Sequence, residues 1–119
     1  MSSLNHAVTG NALQFDLENE IQVVRNELAN GEARAGRTLV KDGPLRVTLV
    51  AVRAGGGLHE HTARGPITIQ VLEGTIEVDA LANRRTLHRG ALLALDAGIA
   101  HAVTSTAGAV FLLTVQHTA

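Results

Sequence analysis

The apolar residues of this chain change their period once, near residue 37. Before that point, Leu17, Ile21, Val24 and Leu28 are spaced by four, three and four. This is the spacing of one stripe on a helix, and it predicts a helix over residues 16–30. Asp16 is placed to cap it, with Asn19 rather than an acid three residues on, and Asn30-Gly31 is a stop signal. The stripe can pack on the domain's own outside or cover a partner subunit, and the pattern does not choose between them. Residues 1–14 are polar and mixed, without a period, and read as loose.

From residue 37 the pattern becomes short strands and turns. Strands are predicted at 37–40, 45–53, 58–62, 67–73, 75–81, 84–88, 91–95, 100–106 and 109–117. Lys41-Asp42-Gly43-Pro44 is a turn, the glycine triplet Gly55-Gly56-Gly57 breaks the second strand, and Glu73-Gly74 and Ala82-Asn83 read as hairpin reversals. Pro66 suits the start of a strand, where no ladder donor is needed. Many short strands at near-even spacing predict an all-β sandwich or barrel with one N-terminal helix. The division this implies is an extension at residues 1–36 and a barrel at 37–119.

Composition narrows the function classes. The 119 residues fit one domain, and 45% of them are apolar, enough for a core. Phe15 and Phe111 are the only aromatic rings apart from histidine, so an internal pocket has an aliphatic wall with little stacking surface. The net charge is −1, and Arg84-Arg85 is the only adjacent basic pair, which argues against a nucleic-acid partner. There is no cysteine, hence no disulfide framework and no thiolate chemistry. No apolar run approaches a membrane span, and Met1 to Gly10 lack the basic and apolar regions of a secretory signal. A cytoplasmic protein without a membrane partner is the expectation.

Three histidines carry the candidate chemistry. His59 and His61 sit two apart in a predicted strand, so a regular strand points both rings to one face. His101 follows Asp96-Ala97-Gly98 and can join them if the fold brings its strand close. Neutral imidazole is a good ligand for first-row transition metals, and three protein ligands leave room for water or substrate. The alternative is that the rings only hydrogen-bond to one another or to solvent. Arg64, in the loop after His61, can clamp a substrate carboxylate or simply be solvated. Arg46 and Arg53 are an odd number of residues apart, so at most one points inward, while His6, His88 and His117 carry no pattern. Neither a phosphate loop nor a nucleophile elbow is present.

The glycine-histidine register resembles the cupins. The stretch from Gly55 to Gly74 is similar to their first motif, with His59 and His61 as the His-x-His pair and Gly74 as the closing glycine. The stretch from Gly90 to Ser105 is similar to the second, with Gly90, Gly98 and His101 in register. The resemblance covers residues 37–117 and implies a double-stranded β-helix, or jelly-roll, barrel. It also implies a divalent transition metal (iron, zinc, nickel or manganese) held by His59, His61 and His101, a small-molecule ligand, and a homodimer.

Three departures qualify what carries over. Ile67 stands where the motif has its glutamate ligand, Asp96 where it has proline, and Ser105 where it has asparagine. The last two read as turn and surface changes of small effect, with Asp96 able to fix the loop before His101. The first removes a carboxylate that nothing nearby replaces. Glu60 should face away, and Glu73, on the face of 67, 69 and 71 in a regular strand, is distant. Three neutral imidazoles leave the ion's charge uncompensated, which favours an anionic or bidentate ligand. The open alternatives are a metal-dependent enzyme such as an oxygenase, a non-catalytic binding module, and a structural remnant.

Overall fold

The computed structural model describes residues 6–117. One helix and eight strands follow in the order α1 (Leu17–Leu28), β1 (Arg34–Asp42), β2 (Leu45–Val52), β3 (Gly57–His61), β4 (Ile67–Ala80), β5 (Asn83–His88), β6 (Leu92–Leu95), β7 (His101–Thr104) and β8 (Ala109–Gln116). All pairings are antiparallel, in the order β1-β2-β8-β4-β7-β3, with β5 and β6 also on β4. The sheet curls into two facing layers of a jelly-roll barrel, and β1 and β3 are its open ends.

The hinge between the layers is β4. Its first half pairs with β6 and β8, its second with β5 and β7. The reversal expected at Glu73-Gly74 is therefore a bend. One extra residue enters β4 between Val71 and Glu73 opposite β8, and Gly74 takes φ +78. Such a bulge bends and twists a strand without turning it back. The two halves never pair with each other, because each has its own partner. A reversal does follow, one residue before the expected place: Leu81 and Ala82 form the two-residue turn with φ 55 and 61, and Asn83 already begins β5.

The inside of the barrel is aliphatic around Phe111, with Val50, Val52, Ile67, Ile69, Val71, Ile76, Val78 and Val103 in one buried cluster. Alternate residues of β2 and β8 point the other way, where Leu49, Ala51 and Val110 meet Ile21 and Val24 of α1. The helix stripe thus packs on this chain's own sheet. Burying Ile21 and Val24 stabilises the contact by roughly 1.5–3 kcal/mol each. Asp16 caps the helix by accepting from the Glu18 N–H at 3.1 Å. The end of the helix is tied down by Arg53, whose guanidinium donates to the carbonyls of Leu28 and Glu32.

Before the helix, residues 6–14 lack regular structure, yet His6 accepts from the Lys41 N–H at 2.9 Å and so is fastened to β1. The rest of the expected loose segment, residues 1–5, lies outside the described residues. No helix among the described residues is long and apolar enough to cross a membrane.

Candidate functional site

The site is built by β3 and β7. Gly57 pairs with Thr104, Leu58 with Val103, and His61 with His101. Between Leu58 and His61, β3 advances three residues while β7 advances two. This extra residue breaks the alternation on which the sequence expectation for the histidines rested. Leu58 packs against the inner cluster and His61 lies opposite the buried His101, so the face changes parity between them.

His61 and His101 meet, with ring centroids 4.3 Å apart and planes at 60°. His101 is 3% exposed, whereas His61 stands at the rim. His59 is exposed and lines a different cleft, beside Arg34 and the glycine triplet. Among the described residues, no three His, Cys, Asp or Glu side chains lie close enough together to hold an ion.

The two paired rings are oriented in the same way. Nδ1 of His61 lies 2.7 Å from the His59 carbonyl, and Nδ1 of His101 lies 2.9 Å from the Ile99 carbonyl. A carbonyl only accepts, so Nδ1 carries the proton and, in the neutral ring, Nε2 carries the lone pair. Two basic nitrogens held by backbone carbonyls in this way are the supporting arrangement that metal-ligating histidines use. The donor set therefore suits a transition metal at two positions. Ile67, at the position of the expected carboxylate, is 3% exposed within the core and offers no third.

Other expected residues take different places. Glu73 ion-pairs with Arg25 of the helix on the outer face, because the β4 bulge turns it away from Val71. Asp96 accepts the Ala97 N–H at 2.7 Å and so caps the turn before His101. Arg64 is exposed.

Ser105 is a correction: it is 1% exposed, not a surface residue. Its hydroxyl donates to the Thr75 carbonyl at 2.7 Å and accepts from the Gly108 N–H at 3.1 Å. Its backbone pairs with Gly55 and Gly56. It fastens the end of β7 to the glycine triplet that leads into β3.

Two polar positions escape sequence reasoning. Arg85 pairs with Val78 and shares the face of Leu87, so it stands on the inner side of β5. Its guanidinium reaches the Ala80 carbonyl at 3.1 Å, and Ala80 is paired with His101. Its positive charge thus stands against β4, the strand next to that of His101. Leu87 as an apolar anchor was the available signal. The second position is Arg34, which pairs with the inward Val52.

Beside the pair, a cleft of about 740 Å³ opens between the β4–β5 turn and the loop at 98–100, with Glu60, Asp79 and Arg84 on its walls. Asp79 and Arg84 form an exposed pair at 2.8 Å, and the hydrogen bond from Arg84 holds the Asp79 carboxyl below its ordinary range.

No protein-family model and no curated protein matches the sequence. Solved structures do. A cupin superfamily protein from Desulfitobacterium hafniense superposes with a TM-score of 0.70 at 15% identity, over 71% of this chain and 78% of its own. The fold is that of the cupins. An RmlC-like cupin from Shewanella frigidimarina gives 0.69 at 16% identity, over 72% and 78%. A salicylate 1,2-dioxygenase from Pseudoaminobacter salicylatoxidans, solved as its adduct with gentisate, gives 0.77 at 15% identity over 86% of this chain. This cupin barrel spans only 32% of that enzyme, and at such identities the likeness carries the fold and not the activity.

Proposed function

We propose that this chain is a small-molecule-binding cupin centred on His61 and His101, and that the pair takes up a divalent transition metal with His59 as third ligand. The observation that carries the proposal is the matched orientation of the two rings. Each Nδ1 is fixed on a carbonyl, and each Nε2 is left as a donor. Recruiting His59 requires the β3 bulge to shift, which an exposed, singly paired edge strand permits. A metal bound there supplies Lewis-acid or oxygen-activating chemistry, the kind of reactivity that goes with the dioxygenase likeness. The chain's own part is to hold the rings by the carbonyls of His59 and Ile99, to keep His101 from solvent, and to present Arg85 to an anionic ligand. A homodimer and a cytoplasmic setting belong to the same proposal.

Equilibrium dialysis against iron(II), zinc, nickel and manganese, followed by metal analysis, tests it. The wild type is expected to retain near-stoichiometric metal, His61→Ala and His101→Ala to lose it, and His59→Ala to weaken it about tenfold. Retention unaltered in His61→Ala and His101→Ala, or none in the wild type, overturns the metal centre.

A second reading is favoured by the separation of His59 from the other two rings. Here the pair works without metal, as two hydrogen-bond acceptors for a ligand's donors. Ligand binding that survives chelation and fails in His101→Ala identifies it.

A further inference from the structure

The open ends of the curled sheet, β1 and β3, leave a cleft of about 450 Å³ between them, within the range of small-molecule sites. Its wall is apolar at Leu58 and Val103, both packed with the inner core. Its rim carries Arg34 and His59.

The side on which Arg34 stands follows from register. Arg34 pairs with Val52 and Gly36 with Val50, and both valines face the inner core. Ala35 between them pairs with Ala51 and packs towards the helix. Paired residues share a face, so Arg34 lies on the barrel side of β1.

The contacts of Arg34 also differ from those of most other arginines. Arg25, Arg37 and Arg84 are ion-paired, and Arg46, Arg53 and Arg85 are bonded to carbonyls. Arg34 enters none of the ion pairs among the described residues, and no carboxylate lines its cleft.

We propose that this seam binds a small organic anion with an aliphatic body, its carboxylate on Arg34 and its chain on Leu58 and Val103. Guanidinium matches a carboxylate with two parallel hydrogen bonds, and His59 is placed to add a third donor. The glycine amides do not form the anion seat. The N–H of Gly55 is bound to the Ser105 carbonyl and that of Gly56 to the Arg53 carbonyl. Apart from the His59 imidazole at the rim the lining holds no aromatic ring, so a saturated chain fits Leu58 and Val103 better than a flat one. The two glycines also let backbone approach closely at the floor of the cleft. A Cβ at Gly56 would lie 2.8 Å from the Ala33 oxygen, and one at Gly57 would lie 1.9 Å from the Val103 oxygen.

The inference needs no ion at His61 and His101, so it is tested on chelator-treated protein, where failure of the metal reading leaves it untouched. Octanoate, acetate and octan-1-ol are titrated calorimetrically. Octanoate is expected to bind, with acetate and octan-1-ol each at least about tenfold weaker. Arg34→Gln should weaken octanoate about tenfold or more, the scale of a lost charge-assisted bond. Arg89→Gln, which changes an exposed arginine away from the cleft, should leave it unchanged. Octanoate should also shift the methyl resonances of Leu58 and Val103 in the wild type, a readout that does not depend on how the variant folds. The proposal is overturned if octanoate does not bind, if Arg34→Gln binds it as the wild type does, if acetate or octan-1-ol binds as tightly, or if the shifted methyls lie elsewhere.

Discussion

Replacing Ser105 with alanine should destabilise this cupin barrel far more than its place in a turn suggests. The side chain is 1% exposed, and its hydroxyl serves the Thr75 carbonyl and the Gly108 N–H. Alanine keeps the backbone bonds to Gly55 and Gly56 but strands both partners of the hydroxyl. A buried polar group left unsatisfied costs about 1–3 kcal/mol. Thr75 also pairs in the β4–β5 ladder, which softens its share, so the sum is about 2–4 kcal/mol. For a chain of this size that is a drop of roughly 8–15 °C in Tm. Urea unfolding followed by circular dichroism measures it, with the m-value checked for constancy. Thr104→Ala, at the exposed neighbour, should change little. A loss below about 1 kcal/mol in Ser105→Ala would refute the view that this hydroxyl fastens β7 to the glycine triplet.

Other substitutions probe the local geometry. Gly57→Ala puts a Cβ 1.9 Å from the Val103 oxygen and 2.9 Å from Thr104 Cα, both backbone, so it should cost about 3 kcal/mol or more by thermal melt. Gly36→Ala meets only Thr48 Cγ2 at 3.8 Å and should be tolerated in the same assay. Ala82→Gly relieves a left-handed residue at φ 61 in the β4–β5 turn and should raise stability by up to about 1 kcal/mol. The Asp79 carboxyl is held below its ordinary range by Arg84, so its contribution is present above the unfolded carboxylate pKa and is lost as pH falls through the folded value. Because the pair is open to solvent, Asp79→Asn should differ slightly from the wild type in melts at neutral pH and converge with it below about pH 3.

The helix, its Asp16 cap and the alternation of most strands were legible in the sequence, because local periodicity is a direct image of one buried face. The meeting of His101 with His61 was legible through the resemblance that Gly90, Gly98 and His101 carry. What failed were arguments that carried parity across a bulge. His59 and Glu73 were assigned faces by counting in twos. In each case one extra residue, between Leu58 and His61 or between Val71 and Glu73, moved the side chain. Bulges are set by the partner strand, β7 or β8, and leave no local signature except the φ +78 glycine at position 74. Ser105 looked like a turn residue because its partners, Thr75 and Gly56, are distant in sequence. Arg34 lies three residues ahead of the expected start of its strand, so no face could be assigned to it.

Long-range proton–nitrogen NMR of the histidine rings tests the paired centre most directly. In metal-free protein above the imidazole titration range, His61 and His101 should both show the tautomer protonated at Nδ1, and added zinc should shift the Nε2 resonances of both together. An Nε2–H tautomer at either ring, or zinc shifts at neither, would contradict a centre built on this pair.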